Sequence, residues 1–285
     1  MSVKMRKATF AGSWYPGTAA ECEKEIKGFL KEYNTKTVSQ QSLSGGIVPH
    51  AGWYFSGSIA CNVINCLKDE TSPDVFVIFG MHLHSGSPSF IMTDGACETP
   101  FGGLEIEKTL ADELVKKFPF QIETAENYTQ DNTIELQLPF LKYFFEDSKI
   151  VPIGVPPAKD AIEIGKAVVE ISNQLGLRMK VLGSTDLTHY GSNYGFATKG
   201  RGTKALDWVR NENDRRIIDA LLAMDPATVI SEALANHNAC CAGAAAATIA
   251  AAKQQGIKKA ETIAYATSYD KSPGDSFVGY AGIVF

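Results

Sequence analysis

The hexapeptide Val75-Phe76-Val77-Ile78-Phe79-Gly80 contains no polar residue. A strand with one face in water alternates apolar and polar side chains, so an unbroken apolar run marks a strand covered on both faces. Covering both faces takes helices above and below the sheet, the arrangement that parallel strands joined by helices produce. The rest of the chain supplies the parts in alternation. Gly46-Ile47-Val48-Pro49 and residues 149–155 and 179–184 are further apolar strands. Cys22, Ile26, Phe29 and Leu30 form a helical stripe behind Thr18-Ala19-Ala20-Glu21, which has capping-box spacing. Helices are predicted over 56–67, around Ala111-Leu114-Val115-Phe118, and over 162–175. Residues 205–255 read as helical in two or three pieces, broken at Pro226 and around His237, and strands over 263–267 and 278–285 close the chain. This pattern predicts an α/β fold with a largely parallel central sheet covered by helices on both faces. The most linker-like stretch, 34–44, is short and close to the N-terminus, so residues 1–285 read as one domain.

Composition narrows the function. A net charge of −5 argues against a nucleic-acid partner, which selects a basic surface. The longest apolar run, 239–252, is mostly alanine and too short to span a bilayer, so no membrane partner is expected. No apolar segment follows the charged start Met1-Ser2-Val3-Lys4-Met5-Arg6-Lys7, and the six cysteines are irregularly spaced without a C-x-x-C. The expectation is a cytoplasmic chain with reduced thiols. Walker A, G-x-G-x-x-G, H-E-x-x-H and G-x-S-x-G motifs are absent, which removes support for nucleotide-dependent and serine-hydrolase chemistry.

In α/β sheets, ligands sit at the carboxyl ends of the strands. Four of the five histidines fall at such ends. His50 follows the first apolar strand in Pro49-His50-Ala51-Gly52, His82 and His84 follow the second, and His189 follows Asp186 after the strand at 179–184. A single loop histidine reads most simply as a solvated side chain; four at ligand-facing ends point to a site. Imidazole is the commonest metal ligand and the natural acid or base near neutral pH. His82 and His84, two apart, share a side in extended backbone. Asp186 and His189, three apart, share a face of a turn, where the carboxylate would orient the imidazole or join it at a metal. Asp131 and Glu135 lie on one helical face, best read as an N-capping aspartate on a solvated surface. Cys240 and Cys241 are adjacent at a helix break; in regular structure only one of two such thiols faces a given ligand.

Taken together, these segments resemble the Memo family. Ala11-Gly12-Ser13-Trp14-Tyr15, Pro49-His50-Ala51-Gly52, Thr133-Ile134-Glu135-Leu136-Gln137-Leu138-Pro139, Ser184 through Gly191 and Asp275-Ser276-Phe277-Val278-Gly279-Tyr280-Ala281 look like that family's motifs, in the same order. The resemblance implies a fold like that of class III extradiol ring-cleavage dioxygenases. It also implies a metal site formed by His50, one of His82 and His84, and a cysteine, with His189 as acid or base and Asp186 orienting it. The family's second histidine would fall at Leu83; His84 is preferred to His82 because Gly86 then follows at family-like spacing. The His237-Asn238 register favours Cys241 over Cys240. The family's E-H-S becomes Asp131-Asn132-Thr133, so its histidine is absent here. The enzyme-like relatives hold iron with two histidines and a carboxylate; a thiolate in the third position softens the site. The implied cofactor is iron or copper, with zinc as the alternative. The implied activity is that of a metal-dependent, dioxygenase-like oxidoreductase on a small molecule. The competing readings are a non-catalytic adaptor holding a peptide and a zinc metallohydrolase. A radical-SAM protein and its small companion are the partners the family suggests.

Overall fold

The computed structural model describes residues 3–33 and 43–285; all but the last two residues of the linker-like stretch 34–44 lie outside them. The chain opens with the short strand β1 (Met5–Arg6) and helix α1 (Ala19–Phe29). Thr18 caps α1 by accepting the Glu21 N–H, as the capping-box spacing predicts. Strand β2 (Gly45–Val48) runs into a wide π-helical turn, Trp53–Gly57, and helix α2 (Ser58–Cys66). Strand β3 (Val75–Gly80) is the apolar hexapeptide, buried along its whole length. Strands β4 (Ser89–Met92), β5 (Ala96–Cys97) and β6 (Leu104–Glu105) lead to helix α3 (Lys108–Lys117) and strand β7 (Phe120–Glu123). Helices α4 (Asn132–Glu135) and α5 (Leu138–Phe144) precede strand β8 (Lys149–Gly154), helix α6 (Lys159–Gln174) and strand β9 (Met179–Ser184). After the short β10 (His189–Tyr190) come helices α7 (Thr203–Trp208), α8 (Asp214–Leu222), α9 (Pro226–Asn236) and α10 (Ala242–Gln254). Strands β11 (Glu261–Thr267) and β12 (Phe277–Val284) close the chain.

The main sheet has the order β10-β12-β2-β9-β3-β8-β4-β7, with β11 pairing to β12. Its centre, β2-β9-β3-β8, is parallel. Outside that centre β12 runs antiparallel to β2, β10 and β11, and β4 runs antiparallel to β8, while β7 and β4 are parallel. The sheet is therefore mixed, which corrects the expectation of a largely parallel one. Connection length explains the difference. A parallel crossover takes about a dozen residues or more, and the links from β3 to β4 and from β11 to β12 carry no crossover helix.

Helices cover both faces. The alanine-rich α10 lies directly on β9 and β3 with α6 packed against it, while α2 lies against β2 and β12 on the opposite face with α1 and α5 beside it. Residues 242–252 of α10 are all buried, as an all-round apolar helix must be. Glycines permit the close approach: a Cβ on Gly165 of α6 would meet the Ala247 carbonyl oxygen at 2.1 Å, and one on Gly183 of β9 would meet Thr248 Oγ1 at 2.4 Å. Among the described residues, no helix is long and apolar enough to cross a membrane.

Asp214 ties the helical region to the sheet. Its Oδ1 accepts the Thr188 N–H at 3.0 Å and the Thr188 hydroxyl, and its Oδ2 accepts the Tyr265 hydroxyl at 2.7 Å. Complete burial outweighs these donors and raises its pKa to about 6. A carboxyl group with a raised folded-state pKa stabilises the fold when protonated, and that stability is lost as pH rises through the folded value. Asp214→Asn is therefore expected to gain on the wild type as pH rises from an unfolded-chain value of about 4 to about 6. Denaturant midpoints across that window check it; a difference that stays constant or runs the other way contradicts it.

Candidate metal centre

Strand β9 lies between β2 and β3. The residues just past its end, Thr185 and Asp186, are therefore flanked by the loops that carry His50 and His82. Thr185 N–H bonds to the Val48 carbonyl at 2.9 Å, and Asp186 Oδ1 accepts the His50 N–H at 2.7 Å. The Asn132 side-chain amide holds the His50 carbonyl at 2.9 Å. His50, 2% exposed, is thus fixed through both peptide groups. Its ring is oriented as firmly. Ser184 Oγ donates its only proton to the Thr133 carbonyl at 2.7 Å, so toward His50 Nδ1, at 2.9 Å, it must accept. Nδ1 therefore carries a proton, and the lone pair of neutral His50 is on Nε2, which faces Cys240 Sγ at 3.3 Å.

His82 reaches the same place because the strand alternation fails after β3. Met81 takes a left-handed backbone with φ 70° and donates its N–H to Thr133 Oγ1 at 2.8 Å. A Cβ on the neighbouring Gly80 would lie 2.3 Å from that oxygen, so only glycine fits there. The His82 ring meets that of His50 edge-on at 5.0 Å, with Nδ1 3.7 Å from Asp131 Oδ2. His84 is exposed in a turn, its N–H bonded to Ser87 Oγ and its carbonyl to Ser87 N–H. Among the described residues, the group placed to hold a metal takes in His82 and not the preferred His84.

The cysteines lie in the turn between α9 and α10. His237, with φ 51°, ends α9 in the left-handed conformation. Cys240 N–H bonds to the Asp186 carbonyl and Cys241 N–H to Thr185 Oγ1, both at 3.1 Å. Asp186 N–H in return points at Cys240 Sγ, 3.3 Å away. One ligand atom from each of His50, His82, Cys240 and Cys241 lies within 4.8 Å of all the others. Cys241 thus belongs to the cluster, but Cys240 is the sulfur against His50. Adjacent cysteines converge because neither is inside a helix or a strand.

Charges follow from this geometry. Burial works against an imidazolium at His50, yet Asp186 and Cys240 hold its pKa above the usual range. Burial acts likewise at His82, while hydrogen bonds to Asp131 and Cys240 raise its pKa to about 10. At Cys240 burial opposes the thiolate, but Cys241 and the two imidazoles outweigh it and keep the pKa well below the ordinary value. Burial and the neighbouring Cys240 sulfur push Cys241 upward. Burial also raises Asp186, partly offset by His50, and opposes the charge on Asp131, which His82 and Thr133 nonetheless hold below its usual value.

A cavity of about 570 Å³ opens onto His50, His82, Asp186 and His189, with Trp14, Tyr54, Tyr194 and Tyr280 among its walls. Asp186 and His189 both line it, but Asp186 is spent on the His50 N–H rather than on the His189 ring. His189 Nδ1 instead faces the Leu187 carbonyl at 3.1 Å, which leaves Nε2 of the neutral ring free. Asp131 does cap α4, accepting the Thr133 and Ile134 N–H groups, and also supports His82. Its second duty, like that of Ser184, depends on contacts between segments far apart in sequence. Glu135 is buried and accepts the Phe10 N–H and the Tyr15 hydroxyl, so it anchors the N-terminal segment instead of facing solvent.

Fold and site together define an α/β protein with a candidate histidine–cysteine metal centre at the carboxyl ends of its parallel strands. The chain belongs to the Memo family: residues 6–284 match the family described as Memo-like protein. It is 34% identical over 289 residues to a MEMO1 family protein of Pyrococcus furiosus, with 98% of each chain covered. A MEMO1 family protein of Methanopyrus kandleri is 35% identical over 297 residues, again with 98% of each chain covered. In fold alone, the chain is similar to the crystal structure of an uncharacterized protein from Escherichia coli K12. That similarity has a TM-score of 0.53 at 10% identity and covers 84% of this chain and 99% of that one.

Proposed function

We propose that this chain binds one transition-metal ion, iron or copper, through His50, His82 and Cys240, with Cys241 adjoining, and acts on a small substrate in the cavity beside it. The observation that carries the proposal is the hydrogen-bond chain Thr133–Ser184–His50, which leaves His50 Nε2 as the free nitrogen facing the thiolate. The donor set fits a metal: two imidazole nitrogens and soft sulfur suit copper, iron and zinc. A bound ion would supply a Lewis-acidic and redox-active centre at the cavity wall. The protein's own part is to hold and orient. Asp186 and Asn132 fix the His50 backbone, Asp131 supports His82, and His189 presents Nε2 to the cavity as a proton acceptor. Loading requires His50 and His82 to give up protons, so affinity rises with pH. The full set of two histidines and two cysteines is also that of a closed zinc site, the second reading the donors favour.

Elemental analysis of protein purified without added metal tests this directly. Stoichiometric iron or copper is the expected result; stoichiometric zinc supports the second reading, and no metal contradicts both. Occupancy is expected to fall at least about tenfold in His82→Ala and to persist in His84→Ala. The reverse pattern would return the ligand role to His84.

A further inference from the structure

Cys240 and Cys241 are neighbours in sequence, and their Sγ atoms lie 3.8 Å apart. Successive side chains in a helix or strand diverge, so this proximity belongs to the irregular turn, where Cys241 has φ −124° and ψ 54°. A disulfide needs about 2.05 Å between sulfurs, so closure brings them together by less than about 2 Å; with adjacent Cα atoms only about 3.8 Å apart, it also distorts the backbone between them, which makes the bond readily reducible. The two sulfurs are unequally placed. Cys240 lines a second cavity of about 650 Å³, walled by Leu83, Leu187 and Phe196 and by His84, His189 and His237. Cys241, 3% exposed, is buried and is not part of that wall. A sulfur open to a cavity, with a second thiol beside it, is the arrangement of an attacking and a resolving cysteine.

We propose that Cys240 and Cys241 form a reversible dithiol–disulfide couple that a small hydroperoxide closes into a vicinal disulfide. The Cys240 sulfur attacks the peroxide, the O–O bond breaks, and Cys240 becomes a sulfenic acid as hydroxide leaves. The Cys241 sulfur then attacks the Cys240 sulfur; the S–O bond breaks, and the oxygen departs as water with the Cys241 proton. Two thiols together lose two electrons and two protons, and hydrogen peroxide is reduced to two waters. One consequence rests on the metal-binding reading above: closure removes both sulfur donors, leaves two imidazoles, and so releases the ion.

Metal-free wild-type protein treated with one equivalent of hydrogen peroxide, then digested without reduction, tests the couple. The tryptic peptide 217–253 carries both cysteines. Its cysteines are expected to lose about 2 Da together, to resist alkylation, and to recover with dithiothreitol. In Cys241→Ser, Cys240 should stop at the sulfenic acid and be trapped by dimedone; in Cys240→Ser, Cys241 should oxidise at least about tenfold more slowly. Wild-type cysteines that gain about 16–48 Da while Cys241 stays alkylatable would overturn the proposal, as would a bond from Cys240 to Cys22, Cys61, Cys66 or Cys97. The metal reading is tested separately, by metal content before and after oxidation. A couple that closes in a protein that never held metal upholds the disulfide and removes only its consequence. Metal retained through complete closure overturns the release.

Discussion

His50→Ala is expected to lower metal affinity by at least about 100-fold while the fold survives. The loss is large because His50 is the most rigidly held of the candidate ligands, with its backbone fixed by Asp186 and Asn132 and its ring by Ser184. Alanine keeps both backbone hydrogen bonds and forfeits only the ring. What remains is a Ser184 hydroxyl short of one partner and a small void, a cost of about 1–3 kcal/mol. Metal titration of the purified variant, alongside its circular dichroism, checks both halves. Unchanged metal content would remove His50 from the ligand set and with it the proposed function. His189→Ala is the informative companion, since His189 lines the cavity but lies outside the four-residue cluster. That variant is expected to keep its metal.

The largest expected stability effect lies beneath the site, at Trp53. Its indole is 1% exposed, stacks on Phe140 at 4.1 Å, meets Phe29 edge-on and donates Nε1–H to the Leu136 carbonyl at 3.1 Å. It thereby joins the segment after His50 to α1 and to the 131–140 stretch that carries Asp131 and Asn132. Trp53→Ala is expected to cost about 3–5 kcal/mol, from lost burial plus a cavity that stiff neighbours do not fill. Denaturant unfolding should show a lower midpoint with an unchanged slope. A cost under about 1 kcal/mol would mean that these segments repack freely, and that Trp53 does not brace the site.

The sequence by itself determined the alternation of apolar strands and amphipathic helices, because both signals are local. The hexapeptide of β3, the stripe and cap of α1, and the helix breaks at Pro226 and His237 each follow from side-chain period or backbone restriction within a few residues. It also placed His50, His82 and Asp186 at strand ends, since a parallel centre sends its carboxyl ends to one edge. What it could not carry was any decision made between distant segments. Whether the outer strands run parallel or antiparallel depended on which neighbours their short connections could reach. The choice of His82 over His84 turned on the left-handed Met81, held by Thr133 from another part of the chain. Likewise Cys240 came to face His50 because its turn is bonded to Thr185 and Asp186. Local period sets which way a side chain points along its own element. Which side chains meet was settled by packing, because the hydrogen bonds that fix His50 and Cys240 cross between segments far apart in sequence.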